Sequence, residues 1–274
     1  MPKIIVITGA SDGIGAAAAR QLHKNGHQVV LVGRSPQKTQ AIAFELGVRS
    51  YTADFTRLAD VRQLAADLHA AYPQIDVLAN NAGGVFGDRT RTVDGFEKTF
   101  QVNHLAPFLL THLLMDRLLA SKASIIQTSS LGARLAGHLV MQDLEHERDF
   151  RPTLAYGTAK LANILFTQEL QRRYGAQGIA AAAFHPGNVS SNFALGSQSF
   201  LRHVYRLGHM FMVSPETGAE QLVWLAQTSP GVDWTPGAYY EKGRVAKKVN
   251  PQTRDPNLAR QLWERSEQLL GIAR

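Results

Sequence analysis

The sequence predicts an α/β protein: one doubly wound domain over residues 1–274, with a mostly parallel sheet of about seven strands and helices on both faces. Three observations carry this. Short apolar runs rich in Val and Ile lack the polar alternation of a half-exposed strand, so each is expected to be covered on both faces. Helix-period stretches separate them, which is the βαβ rhythm of a parallel sheet. The first run opens directly into a glycine-rich turn and a helix, and doubly wound folds bind ligands beyond the C-terminal ends of such strands.

The elements follow in order. Residues 4–7 (Ile-Ile-Val-Ile) form the first strand and residues 16–24 the first helix, ended by Asn25-Gly26. A strand at 28–32 and a helix at 37–46 come next, then a short strand at 49–53 and a helix at 59–71. The fourth strand lies at 75–79, and a long helix around 102–120 leads to the fifth at 125–127. The sixth is at 179–184, and a weak seventh lies near 238–240. No linker, composition break or repeat divides the chain. Residues 190–212 carry no strand signal and are strongly apolar, with Phe193, Leu195, Phe200, Leu201, Phe211 and Met212 among them. A lid over an apolar substrate, a core helix and a dimer surface all fit that segment.

Composition narrows the chemistry. Of 274 residues, 45% are apolar and 19% charged, an ordinary globular balance. The chain has no cysteine, which excludes disulfides, thiolate catalysis and cysteine-ligated zinc. Histidines such as His138, His146, His203 and His209 are scattered and form no ligand set, so no metal is expected. The apolar run at the N-terminus is too short for a signal peptide or membrane helix, and no later run reaches about 18 apolar residues. A soluble, cytoplasmic protein without a membrane anchor is expected. The +7 charge, from 29 basic and 22 acidic residues, is spread along the chain. It suits an anionic cofactor; nucleic acid is not expected as a partner. A homo-oligomer remains open.

The turn Thr8-Gly9-Ala10-Ser11-Asp12-Gly13-Ile14-Gly15 names the cofactor class. Its glycines permit positive φ and close backbone approach. The helix that follows offers free amide donors and the positive end of its dipole to a pyrophosphate. Gly9, Ser11, Asp12, Gly13, Ile14 and Gly15 are therefore candidate contacts. The strand–turn–helix setting favours this over an ordinary glycine-rich turn. At the end of the second strand an acid would hydrogen-bond the ribose 2′-hydroxyl of NAD. Gly33 stands there instead, followed by Arg34, Ser35 and Lys38. Arginine can grip a 2′-phosphate through two charged hydrogen bonds, so Arg34 and Lys38 point to NADP(H).

Tyr156-Gly157-Thr158-Ala159-Lys160 supplies the reaction. Tyr and Lys four apart share a helix face. Carbonyl reduction needs a proton at oxygen as hydride reaches carbon. A free tyrosine, with a pKa near ~10, is a poor base at neutral pH, and a neighbouring ammonium favours its phenolate.

Gly-x-x-x-Gly-x-Gly, Asn80-Asn81-Ala82-Gly83 after the fourth strand and Tyr-x-x-x-Lys after the fifth together resemble the short-chain dehydrogenase/reductase family, over nearly the whole chain. The resemblance implies a Rossmann domain in which 1–125 mainly bind cofactor and 126–274 mainly serve catalysis and substrate. It implies that Asn81, Ala82 and Gly83 lie beside the adenosine, and that Asp54, with Phe55, lies near the adenine. For Asp54 a helix cap before Ala59 is the alternative. Ser130 falls on the family's catalytic serine, with Ser129 the less apt choice, and Asn103 on its helical asparagine that supports a proton relay. A turn role for the serine and a backbone-bonded role for Asn103 stay open. Pro186, Gly187 and Val189 would shape the nicotinamide pocket, and Ser191 would contact the carboxamide. His185 reads as structural.

The segment Lys160-Leu161-Ala162-Asn163-Ile164-Leu165-Phe166, with Gln142-Asp143-Leu144-Glu145, Ser214-Pro215-Glu216-Thr217-Gly218-Ala219 and Leu262-Trp263-Glu264-Arg265-Ser266, is similar to the retinol dehydrogenase and WW-domain oxidoreductase-like branch. That likeness implies a small apolar aldehyde, ketone or alcohol as substrate. Protochlorophyllide reductases are neighbours, but the cysteine they carry is missing here. Two other functions stay in view: a non-catalytic NADP-sensing regulator, which would often lack the tyrosine or lysine, and an epimerase or dehydratase with tightly bound cofactor, which usually shows another glycine spacing.

Overall fold

Strands covered on both faces form the centre of the sheet. β1 (Ile4–Thr8), β2 (Gln28–Gly33), β4 (Val77–Asn80) and β5 (Ser124–Thr128) are buried along nearly their whole length. The computed structural model describes residues 1–187 and 213–272. β3 (Ser50–Thr52), β6 (Ala180–His185), β7 (Tyr239–Glu241) and β8 (Arg244–Val245) complete one sheet in the order β3-β2-β1-β4-β5-β6-β7-β8. All neighbours pair in parallel except β7 and β8. The expectation of about seven strands missed β8, whose two exposed residues carry no apolar signal.

The helices cover both faces. α1 (Gly13–Lys24) and a later helix (Pro215–Gln227) pack on one face, where Ile5, Ile7, Leu22, Leu31 and Leu222 share a core. α2 (Pro36–Leu46) extends it. α3 (Leu58–Ala71) and the helices after β4 and β5 bury Val6, Leu64, Leu68, Phe108 and Leu165 on the other. The order 3-2-1-4 places the switch of direction between β1 and β4, so the glycine-rich turn and the Asn80–Gly83 segment meet at the sheet's C-terminal edge.

The long helix expected at 102–120 is broken into pieces. Short α4 (Lys98–Phe100) runs into a π-turn, Gln101–Leu105, then α5 (Ala106–Leu113) and α6 (Met115–Ser121). Pro107 gives one cause: its nitrogen has no hydrogen for the Asn103 carbonyl four residues back. The ladder widens there, and such widened turns mark functional positions. Short α7 (Gly132–Leu135) follows β5, and α8 (Pro152–Tyr174) crosses to β6. α9 is Pro215–Gln227 and α10 is Pro256–Leu269. α10 docks through Leu262, Trp263 and Ser266, whose hydroxyl lies 2.9 Å from His104 Nε2.

Candidate active site

The glycine turn is shaped by close approach. Gly9 has φ +68°, and a Cβ there would lie 2.9 Å from Ala82 Cα. A Cβ on Gly15 would strike the Gly9 carbonyl and come within 2.8 Å of Asn81 Nδ2. Asn81 ties three strand ends together. Its Nδ2 donates to the Thr8 carbonyl at 3.0 Å, its backbone amide donates to Thr8 Oγ1 at 3.0 Å, and its Oδ1 accepts from Thr128 Oγ1 at 3.2 Å. The Ala82 amide also donates to Thr8 Oγ1 at 3.0 Å. Asp12 caps α1 by accepting from Gly13 N at 2.8 Å, while Ile14 packs towards the core. Backbone, free of Cβ atoms and backed by a helix N-terminus, is the shape a pyrophosphate requires, so the turn fits a dinucleotide.

Gly33 has a packing reason as well as a selectivity one. A Cβ there would collide with Thr39 Oγ1 and lie 2.9 Å from Ser11 Cβ, so no acid fits at this position. Arg34 follows it, exposed. Lys38 Nζ lies 3.1 Å from Asp12 Oδ2. That pair is exposed and worth little, and a phosphate could compete for the ammonium.

Asp54 does not cap the next helix. Its Oδ1 accepts from Thr56 N at 3.0 Å, whereas the first amide of α3, on Leu58, donates to Asp94 Oδ2 at 2.8 Å. Phe55, expected beside Asp54 near the adenine, follows it directly in the chain. Its side chain is buried in the core, and its carbonyl accepts from Gln101 Nε2 at 3.1 Å.

α8 carries Tyr156 and Lys160 on one face. Lys160 is 1% exposed, and its Nζ donates to the Thr128 carbonyl at 3.0 Å. The ammonium lies 5.6 Å from the Tyr156 ring centre. Burial pushes the Lys160 pKa down to about 7. Gly83 makes room for it: a Cβ there would sit 3.0 Å from Lys160 Nζ and 2.5 Å from Asn103 Oδ1. Asn103, presented by the π-turn, is fully buried and bonded to backbone. Its Nδ2 donates to the Gly84 and Thr99 carbonyls, each at 2.9 Å, and its Oδ1 accepts from Gly84 N at 3.1 Å.

The two serines after β5 part company. Ser129 is buried, and its hydroxyl donates to the Lys160 carbonyl at 2.7 Å. Ser130 Oγ accepts from Gly132 N at 3.1 Å. A Cβ on Gly132 would lie 3.5 Å from Ser130 Oγ and 3.4 Å from Tyr156 Cε1, so Ser130 and Tyr156 flank the same glycine. Pro186 and Gly187 follow β6, with Gly187 at φ +88°. Val189, Ser191 and the apolar stretch 190–212 lie outside the described residues.

Sequence reasoning passed over Asn163 as a site residue. Its Nδ2 donates to the Thr128 carbonyl at 3.4 Å, beside Lys160. Its position three residues after Lys160, on the same helix face, was the available signal. Among the described residues no group of three or more His, Asp or Glu could hold a metal, and no helix is long and apolar enough to cross a membrane.

A parallel sheet with a glycine cradle at its switch point and a buried lysine under a tyrosine defines a nucleotide-binding oxidoreductase fold. The chain belongs to the short-chain dehydrogenase family: the family's profile, "short chain dehydrogenase", matches residues 3–199. Within it, the chain is retinol dehydrogenase-like. It is 40% identical over 276 residues to "Putative daunorubicin C-13 ketoreductase DnrU" of Streptomyces sp. (strain C5), covering 98% of this chain and 93% of that one. It is 37% identical over 278 residues to retinol dehydrogenase 11 of Homo sapiens, covering 98% and 86%. A solved structure of an uncharacterized protein from Mycobacterium Paratuberculosis superposes with a TM-score of 0.78 at 31% identity, covering 99% of this chain and 94% of that one.

Proposed function

We propose that this chain is an NADP(H)-dependent oxidoreductase that interconverts an apolar aldehyde or ketone and its alcohol, with Tyr156 as general acid and base. One observation carries the reading: the buried Lys160 ammonium, held by the Thr128 carbonyl, lies beneath the Tyr156 ring. Bound NADP(H) would supply or accept the hydride. The glycine cradle would hold its pyrophosphate, and Asn81 keeps that cradle rigid. Arg34 would contact the 2′-phosphate, with Lys38 released from Asp12 to join it.

In the reducing direction Tyr156 Oη delivers the proton to the substrate oxygen. Ser130 Oγ holds that oxygen, and Lys160 stabilises the phenolate left behind. Asn103, bonded to Gly84 on both its amide atoms, would support the proton relay behind Lys160 that the family resemblance implies. The names of the two relatives, a putative daunorubicin C-13 ketoreductase and a retinol dehydrogenase, support a ketone or an alcohol as the group acted on.

The test is NADPH oxidation with a panel of apolar aldehydes and ketones. Turnover is expected in the wild type. Tyr156→Phe should lose at least 100-fold in kcat (an order-of-magnitude expectation for removing general acid catalysis) while still binding NADPH. A Tyr156→Phe enzyme with wild-type turnover would overturn the mechanism.

A further inference from the structure

We infer that His185 is a positioning residue for Ser130: its Nδ1 accepts the Leu131 amide and fixes the turn that presents the serine hydroxyl to Tyr156. The inference rests on the oxidoreductase reading above.

The need for such a strap follows from where β5 ends. Ser129 N donates to the Phe184 carbonyl at 2.8 Å, the last rung between β5 and β6. Beyond it the chain turns into α7, and the Leu131 amide has no strand partner. Leu131 is also the N-cap of α7 and its own side chain caps no amide; Ser130 Oγ takes the next one, on Gly132, which leaves the Leu131 amide without an acceptor in its own segment. His185, one residue past Phe184 on β6, supplies the missing acceptor: Leu131 N donates to its Nδ1 at 3.3 Å.

The rest of the turn transmits this placement. Gly132 N donates to Ser130 Oγ, which orients the hydroxyl, and a Cβ on Gly132 would lie 3.4 Å from Tyr156 Cε1, so the turn runs beside the tyrosine ring. At the far end of α7, Asn250 Nδ2 holds the carbonyls of Ala133 at 2.9 Å and Gly137 at 2.7 Å. The turn is thus clamped from both sides, and His185 is the clamp next to the serine.

The bond also fixes the state of the ring. An amide can donate only to an unprotonated nitrogen, so His185 is neutral with its proton on Nε2. The surroundings agree. Burial first, then the cations Arg134 on α7 and Lys242 after β7, push its pKa down to about 4. The nearest acid by strand register is Glu241 on β7, which lies against Tyr239. His185 therefore acts as a fixed acceptor near neutral pH rather than as a proton carrier.

The test pairs two substitutions on the full chain. His185→Leu removes the acceptor, and His185→Asn restores one through Oδ1. In His185→Leu, hydrogen exchange at the Leu131 amide should speed up at least 10-fold, an order of magnitude suited to one lost protecting bond. Its kcat with the best-turned-over ketone of the panel should fall by roughly 10-fold, with the KM for NADPH unchanged, because positioning and not cofactor binding is lost. His185→Asn should recover most of both. Unchanged Leu131 exchange, unchanged kcat, or an Asn variant no better than Leu would overturn the assignment. Nitrogen NMR of the wild-type ring gives a check that needs no variant: a proton on Nδ1 would equally refute it. The exchange and NMR readouts need no substrate, so they test the strap even if the Tyr156→Phe result sinks the proposed reaction.

Discussion

Lys160 Nζ and the Thr128 carbonyl oxygen lie 3.0 Å apart in a fully buried setting, and among the described residues no carboxylate shares the contact. One dipole is weak compensation for a buried ammonium. The pair therefore costs stability in order to place charge beneath Tyr156.

That cost is measurable. Below pH 7 both folded and unfolded chains hold the Lys160 proton, and the penalty is present in full. As pH rises from about 7 towards 10.5 the folded state sheds its proton first, so the penalty fades and this group's contribution to stability improves. Lys160→Met should raise the melting temperature of the cofactor-free protein at pH 6 by roughly 5 °C, part of the gain being lost to the orphaned Thr128 carbonyl. The same variant should have no turnover. Thermal denaturation at pH 6 and pH 9.5 checks the sign: the gain should be smaller at the higher pH.

Gly83→Ala tests the space around that ammonium. The new methyl would lie 2.5 Å from Asn103 Oδ1 and 3.0 Å from Lys160 Nζ, so one of the two must move. A fall in kcat of about 10- to 100-fold is expected, since a displacement near 1 Å at a reacting centre has effects of that size. Steady-state kinetics beside a far-UV spectrum would separate this from unfolding.

The proposed preference for NADP(H) rests on Arg34, and Gly33 constrains how it can be tested. Arg34→Ala should weaken NADPH binding by at least 10-fold, and NADH by much less, as one charged hydrogen-bonded contact is lost. Fluorescence titration with both cofactors decides it, and equal weakening would refute the role. Reversing preference through Gly33→Asp should fail, because the side chain meets Thr39 Oγ1 and Ser11 Cβ. That variant should be destabilised by ~2 kcal/mol or more.

His104 gives an acid-side prediction. It is completely buried among Phe100, Phe108 and Phe166, and burial pushes its pKa down to about 4. Between pH 6.5 and 4 the unfolded chain takes up a proton that the folded ring refuses, so stability falls as pH drops through that window. The loss from this group should approach ~3 kcal/mol at pH 4. Urea midpoints measured from pH 7 to 4.5 should decline, and decline less steeply in His104→Phe.

Much of this was legible in the sequence because its local and long-range signals agree. β1, β2, β5 and β6 announce themselves by apolar runs that only a doubly covered strand tolerates, and the glycine turn by its place between strand and helix. Helix spacing alone put Tyr156 and Lys160 on one face, and their place after the fifth strand, with the glycine turn and Asn80–Gly83, made the pair a candidate site. What was not legible depends on partners distant in the chain. The break in the expected 102–120 helix turns on Pro107 and on bonds from Asn103 to Gly84. The division of labour between Ser129 and Ser130 depends on which one meets α8. β8 has two exposed residues and exists only because β7 lies beside it. Asp94 caps α3 from 36 positions away, which no local pattern reveals.

The π-turn at Gln101–Leu105 has one more implication. It inserts a residue's worth of rotation, about 100°, between α4 and α5. Asn103 faces Gly84 only while that extra residue is present. A single-residue deletion within 101–105 would let the segment close into a regular helix, with its apolar stripe and core intact, yet swing the asparagine away. The chain could thus be silenced by a loss of phase while keeping its sheet and helices, and the length of this turn becomes as informative as the identity of the residue it carries.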